Sequence, residues 1–90
     1  MPKYLFQSSY TEAGLKGLLK EGGSSRREAV EQALKSLGGT LEAYYYAIGD
    51  SDFFIIVGLP DNVSATAASL IANASGASAL KTTVLLTPEE

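Results

Sequence analysis

The sequence predicts an α+β sandwich, with a four-stranded antiparallel sheet and helices on one face, in the order strand, broken helix, strand, strand, helix, strand. Three observations predict it. Residues 41–60, LEAYYYAIGDSDFFIIVGLP, read as two apolar strands folded back around Gly49, Asp50, Ser51 and Asp52. Apolar residues at helical spacing occur on both sides of this hairpin. Short runs rich in β-branched and aromatic residues open and close the chain.

Residues 3–10 form the first expected strand, with Tyr4, Phe6, Ser8 and Tyr10 on one face and Leu5, Gln7 and Ser9 on the other. Thr11 is placed to cap a helix whose apolar side is Leu15, Leu18 and Leu19. Gly14 and Gly17 weaken that helix by about 1 kcal/mol each relative to alanine, and Gly22-Gly23 ends it. A second helix then starts at Ser25-Arg26-Arg27-Glu28, the pattern of a capping box. Val30, Ala33, Leu34 and Leu37 form its apolar face, and Gly38-Gly39 terminates it.

In the hairpin, Glu42, Tyr44, Tyr46 and Ile48 are expected on one face, with Leu41, Ala43, Tyr45 and Ala47 on the other. Residues 53–57 are apolar without interruption, so both faces of that strand should be covered and residues 41–48 should lie further out. Pro60 stops the strand, and Asp61 caps a helix with Val63, Ala67, Leu70, Ile71 and Ala74 as its apolar face. Residues 79–87 are the last strand, followed by a polar tail.

Two β-α-β crossovers interleaved around one hairpin give a ferredoxin-like βαββαβ sandwich, in which the first and third strands are central. Every strand carries apolar residues on both faces, more than one layer of helices can bury. An apolar sheet face left in water is unusual for a monomer, so self-association through the sheet is expected.

Composition limits the function. Ninety residues fit a single domain, 1–90, and 46% apolar residues suffice for a core. The chain has no cysteine and no histidine, which excludes thiolate and histidine metal sites and the usual serine or cysteine triads. No cofactor is implied. The net charge is −3, with basic residues scattered apart from Arg26-Arg27, so no nucleic-acid stripe is present. No apolar run approaches the roughly 18 residues of a membrane helix, and a cytoplasmic protein that does not engage membranes is expected.

These residues also carry a resemblance. The opening MPKYLFQSSYTEAGLKGL, the stretch ALKSLGGTLEAYYYAIGDSDFFIIVGLPD and the closing TPEE resemble the GYD-domain family, a small bacterial family related to the dimeric α/β-barrel group. The family's motif, Gly-acid-Tyr-Asp before an apolar strand and Pro-Asp, stands here as Gly49-Asp50-Ser51-Asp52, residues 53–57 and Pro60-Asp61. Ser51 replaces the usual tyrosine, and Tyr10 and Tyr46 stand where tryptophan is common. The resemblance implies a ferredoxin-like protomer in a dimeric α/β-barrel type of assembly. It brings no mechanism with it, because fold does not transmit function.

Several candidate sites have a functional and a structural reading. Asp50 and Asp52 suit a cation or proton transfer, or simply turn chemistry. Two carboxylates alone cannot complete a calcium or magnesium shell. Asp52 is the better catalytic candidate, because the resemblance places it at the acidic end of the motif. Tyr44, Tyr45 and Tyr46, with Tyr10, suit a pocket for a planar organic ligand or an interface between subunits. Arg26 and Arg27 open a helix, where phosphate binding competes with a solvated first turn as the reading. Lys3 and Lys81 read as exposed strand lysines, and Ser8 and Ser9 have no partner base.

The first functional expectation is a homo-oligomer for self-assembly, for binding a small organic ligand, or for both, without a catalytic set, with Tyr10, Tyr44, Tyr46 and Asp52 as the residues that would hold a ligand. The alternative is a cofactor-independent oxygenase or isomerase with Asp52 as base.

Overall fold

In the computed structural model the described residues are 1–9, 16, 18–20, 22–74 and 80–90. They form β1 (Lys3–Ser8), α1 (Gly23–Ser36), β2 (Thr40–Tyr46), β3 (Phe53–Gly58), α2 (Asn62–Ala74) and β4 (Lys81–Leu85). The strands make one antiparallel sheet in the order β2-β3-β1-β4, the ferredoxin-like arrangement with β1 and β3 at the centre. Thr11, expected to cap the first helical segment, and Tyr10 lie outside the described residues.

The central pair sets the core. Tyr4 stands opposite Val57, Phe6 opposite Ile55 and Ser8 opposite Phe53, and all six are buried. Leu34 from α1, Ala65 from α2 and Leu59 complete the buried cluster on this face. The alternate positions Leu5, Gln7, Phe54 and Ile56 are half-buried and face away from the helices. The Tyr4 ring is 1% exposed, and its hydroxyl donates to Asn62 Oδ1 at 2.7 Å, which ties the sheet centre to the start of α2.

β2 departs from simple alternation. Leu41 pairs with Val57 and Ala43 with Ile56, so one extra residue is accommodated at Glu42. This bulge puts Leu41 and Tyr44 together against the core, whereas alternation placed them on opposite faces. Glu42, expected beside Tyr44, instead reaches across Gly58 to Lys3 Nζ at 2.9 Å. Lys3 is exposed, as expected of a strand lysine, and its position on the central strand β1 lets it form an ion pair with Glu42. The pair is half-exposed and contributes at most about 1 kcal/mol.

The helix ends are made in different ways. The expected capping box does not form: α1 begins at Gly23, two residues before Ser25, and Gly22 stands at the N-cap position with φ 88° and no side-chain cap bond. The positive φ of Gly22 turns the chain into the helix early, which leaves Ser25 inside the first turn. At the other end Gly38 takes φ 77°, Gly38 N donates to Lys35 O and Gly39 N donates to Leu34 O, a Schellman motif. Asp61 caps α2 as expected, accepting from Ser64 N at 2.8 Å.

The buried side of α2 differs from the expected one. Val63 and Leu70 are 78% and 63% exposed, and Ala65 is the buried residue. Ala65, Ala68 and Ala72 recur at helical spacing, and Ser69 bonds Thr82 of β4 at 2.7 Å. Small residues of this helix face the sheet, and the larger Val63 and Leu70 lie outside.

Two predictions follow from these ends. A Cβ on Gly39 would lie 2.5 Å from Leu59 Cδ2 and 2.6 Å from the Gly58 carbonyl oxygen, and the backbone oxygen has little room to yield. Gly39→Ala is expected to cost about 2 kcal/mol and lower Tm by about 10 °C, measured by thermal denaturation followed by circular dichroism. The Ser64 backbone N–H, helped by the Ser64 side chain, holds the Asp61 carboxyl below its ordinary pKa. A depressed carboxylate pKa contributes stability that is complete above about pH 4 and disappears as pH falls through the folded value. Asp61→Asn, which keeps a capping side chain, should flatten the fall in stability on acidification in urea denaturation between pH 5 and pH 2.

Candidate ligand-binding cavity

α1 packs against β2 and α2 against β4, and the space between the helices forms a cavity over the middle of the sheet. Its volume is about 300 Å³, the lower end of the range for small-molecule sites. Phe6, Phe53 and Ile55 form the floor, while Val30 and Leu34 on one side face Ala68 and Ile71 on the other.

The polar groups of the described wall are Tyr44 and Arg26. Tyr44 is half-buried, with its ring 6.3 Å from Phe53 and 5.2 Å from Tyr46. Arg26 is half-buried and its Nε is shielded from solvent. Its neighbour Arg27 turns outward, with Nε 3.3 Å from Glu31. The two arginines are therefore not a joint anion site on the helix start.

Of the residues expected to hold a ligand, Tyr44 lines the cavity. Tyr46 is packed on Tyr44, outside the described wall, and Tyr10 is outside the described residues. Asp52 also lies outside the wall, in the hairpin. Its backbone N–H donates to Ser8 O at 2.9 Å and its carbonyl accepts from Ala47 N at 2.8 Å. These bonds, with Ser9 Oγ donating to Asp50 O at 2.7 Å, fasten the Gly49–Asp52 turn to the end of β1. That is a structural role for the turn.

Arg26 was not among the expected ligand residues. The signal for it was present: Arg26 precedes Val30, Ala33, Leu34 and Leu37 at the same helical spacing, so it continues their stripe by one turn. Among the described residues no three carboxylates converge on a point, and no helix is long and apolar enough to cross a membrane.

The opposite sheet face forms a second feature. Leu5, Ala43, Phe54, Ile56 and Leu85 are half-buried there, and Tyr45 is 68% exposed. The register places Leu5 beside Ile56 and Thr83, and Tyr45 beside Phe54, so these side chains are contiguous. No described helix covers them.

Searches of curated proteins and of solved structures return no match. The family model for the GYD domain matches residues 4–90, almost the entire chain, and the protein belongs to the GYD-domain family.

Proposed function

We propose that the protein is a self-associating binding protein for a small organic ligand, held in the interhelical cavity. The cavity of about 300 Å³ carries this reading: it is apolar, with a phenol and a guanidinium as its polar groups among the described wall residues. Apolar contacts supply the affinity, and Tyr44 orients the ligand. A cytoplasmic location belongs to this reading.

Assembly is its second half. The contiguous apolar face around Ile56 and Tyr45 fits a second copy of the chain, sheet against sheet, in the manner of the dimeric α/β barrels. The cavity lies on the other side of the sheet, so binding and assembly do not compete for the same surface. The enzymatic alternative gains no support from the geometry, because the described cavity wall contains no carboxylate or lysine and Asp52 stands outside it.

Both halves are testable. Light scattering coupled to size exclusion at micromolar concentration should give at least twice the protomer mass of 9.4 kDa, and Tyr45→Glu should shift it toward the monomer. A wild-type mass of 9.4 kDa would remove the assembly reading. For the cavity, methyl-detected NMR during titration with 2-naphthol should move the signals of Val30, Leu34 and Ile55. Ala68→Leu, which fills the space, should weaken that binding about ten-fold. Shifts confined to Leu5 and Ile56, or unchanged affinity in Ala68→Leu, would overturn the cavity reading.

A further inference from the structure

We propose that α2 pairs with α2 of a second copy of the chain, antiparallel about a two-fold axis, and so joins sheet-paired dimers into larger assemblies. This deepens the assembly half of the proposed function and rests on the sheet-face pairing. The observation is a self-complementary apolar stripe on the side of α2 that faces away from the sheet. Val63, Ala67, Leu70 and Ala74 fall within an arc of about 60°, roughly opposite Ala65 and Ala72. Val63 and Leu70 are more than half exposed, and Ala74 is exposed with them. Their alternating steps of four and three residues are those of a helix–helix seam.

Charge separates this helix from its neighbour. Arg27, Glu28 and Lys35 of α1 are exposed, and Arg27 pairs with Glu31. That is how this chain solvates a helix. Residues 62–80 carry no charged side chain, although 19% of the chain is charged. A charged partner would find no counter-charge on the stripe, whereas two copies meet there without like-charge repulsion.

The order of sizes selects both the partner and the direction. With the two-fold axis midway between Ala67 and Leu70, Val63 of one copy faces Ala74 of the other, and Leu70 faces Ala67. A large side chain then meets a small one at every step, as close packing requires. A parallel pair in register sets Leu70 on Leu70 and Ala67 on Ala67, overpacked at one level and hollow at the next. Opposed helix dipoles also favour the antiparallel pair.

Area fixes the rank of this contact. It is about 20 Å long and one helix, about 10 Å, wide. A standard stable interface buries roughly 800 Å² per partner, so the helix contact adds to a larger interface and does not replace it. The stripe and the apolar sheet face lie on opposite sides of the protomer, so one chain can hold both contacts.

The chain lacks cysteine, so single introduced cysteines report the pairing directly. Val63→Cys and Ala74→Cys change exposed positions and leave the buried cluster untouched. Mixed under mild oxidation, the two variants should cross-link at least about ten-fold faster than either alone, because the pairing brings position 63 to position 74 and holds like positions about 16 Å apart. Non-reducing electrophoresis reads the rates, and equal rates in the mixture and in the single variants would overturn the antiparallel pair. Light scattering at high micromolar concentration should give the wild type at least four times the protomer mass of 9.4 kDa, and Leu70→Glu twice that mass. A wild type that stays at two protomers up to millimolar concentration would overturn the joining of dimers. If Leu70→Glu is instead a monomer and Tyr45→Glu matches the wild type, the sheet-face reading fails, and the joining of dimers fails with it. Binding to phosphatidylcholine vesicles that Leu70→Glu abolishes would assign the stripe to a lipid surface and overturn the pairing.

Discussion

The structure depends on one imbalance: the β1–β3 centre of the sheet is apolar on both faces, and among the described residues α1 and α2 lie on only one of them. On the helix side Tyr4, Phe6, Phe53, Ile55 and Val57 are buried, which fixes the register. A one-residue slip would send all of them to the other face. On the far side Leu5, Phe54 and Ile56 gain only the partial cover that neighbouring strands provide. The case for a partner rests on this imbalance and not on any single residue.

Among the described residues the two helices leave a gap between them. α2 meets the sheet through alanines and through the Ser69–Thr82 and Tyr4–Asn62 hydrogen bonds, which fasten it to β4 and β1. α1 meets β2 through Leu34, Val30 and Leu37, which need more room. The space between these two helices is the cavity. The close approach at the other end of α1, where Gly39 lies against Leu59 and Gly58, holds that helix over β2.

Much of this was legible in the sequence. Strand identity, strand order and the Gly38 and Asp61 helix ends follow from period, glycine and capping chemistry. The β2 faces were not legible, because one inserted residue at Glu42 reverses the parity of every side chain before it relative to those after it. No residue type marks such a bulge. The buried arc of α2 was ambiguous, since Val63, Ala67 and Leu70 form one apolar arc and Ala65, Ala68 and Ala72 another. Hydropathy favours the larger side chains, whereas close packing on the sheet selects the smaller ones. Arg26 is half-buried because it continues the apolar stripe of α1, a position that its charge obscures in the sequence. Tyr44 was legible because a phenol suits a surface that is apolar along its body and polar at its tip.

The small size of the buried cluster gives both unfilled surfaces a thermodynamic meaning. Among the described residues eight apolar side chains are fully buried, while Tyr45, Val63, Leu70, Val84 and Leu86 remain more than half exposed. A chain of ninety residues lies near the small end of what folds on its own, where stability is marginal. Any occupant that binds the folded state alone adds to that stability by mass action, whether it is a small molecule over Phe53 and Ile55 or a second chain over Phe54 and Ile56. Because those residues alternate along one strand, both occupants bear on β3, which is also the strand that pairs with both β1 and β2. The strand that holds the fold together is thus the one whose two faces the described residues leave incompletely covered.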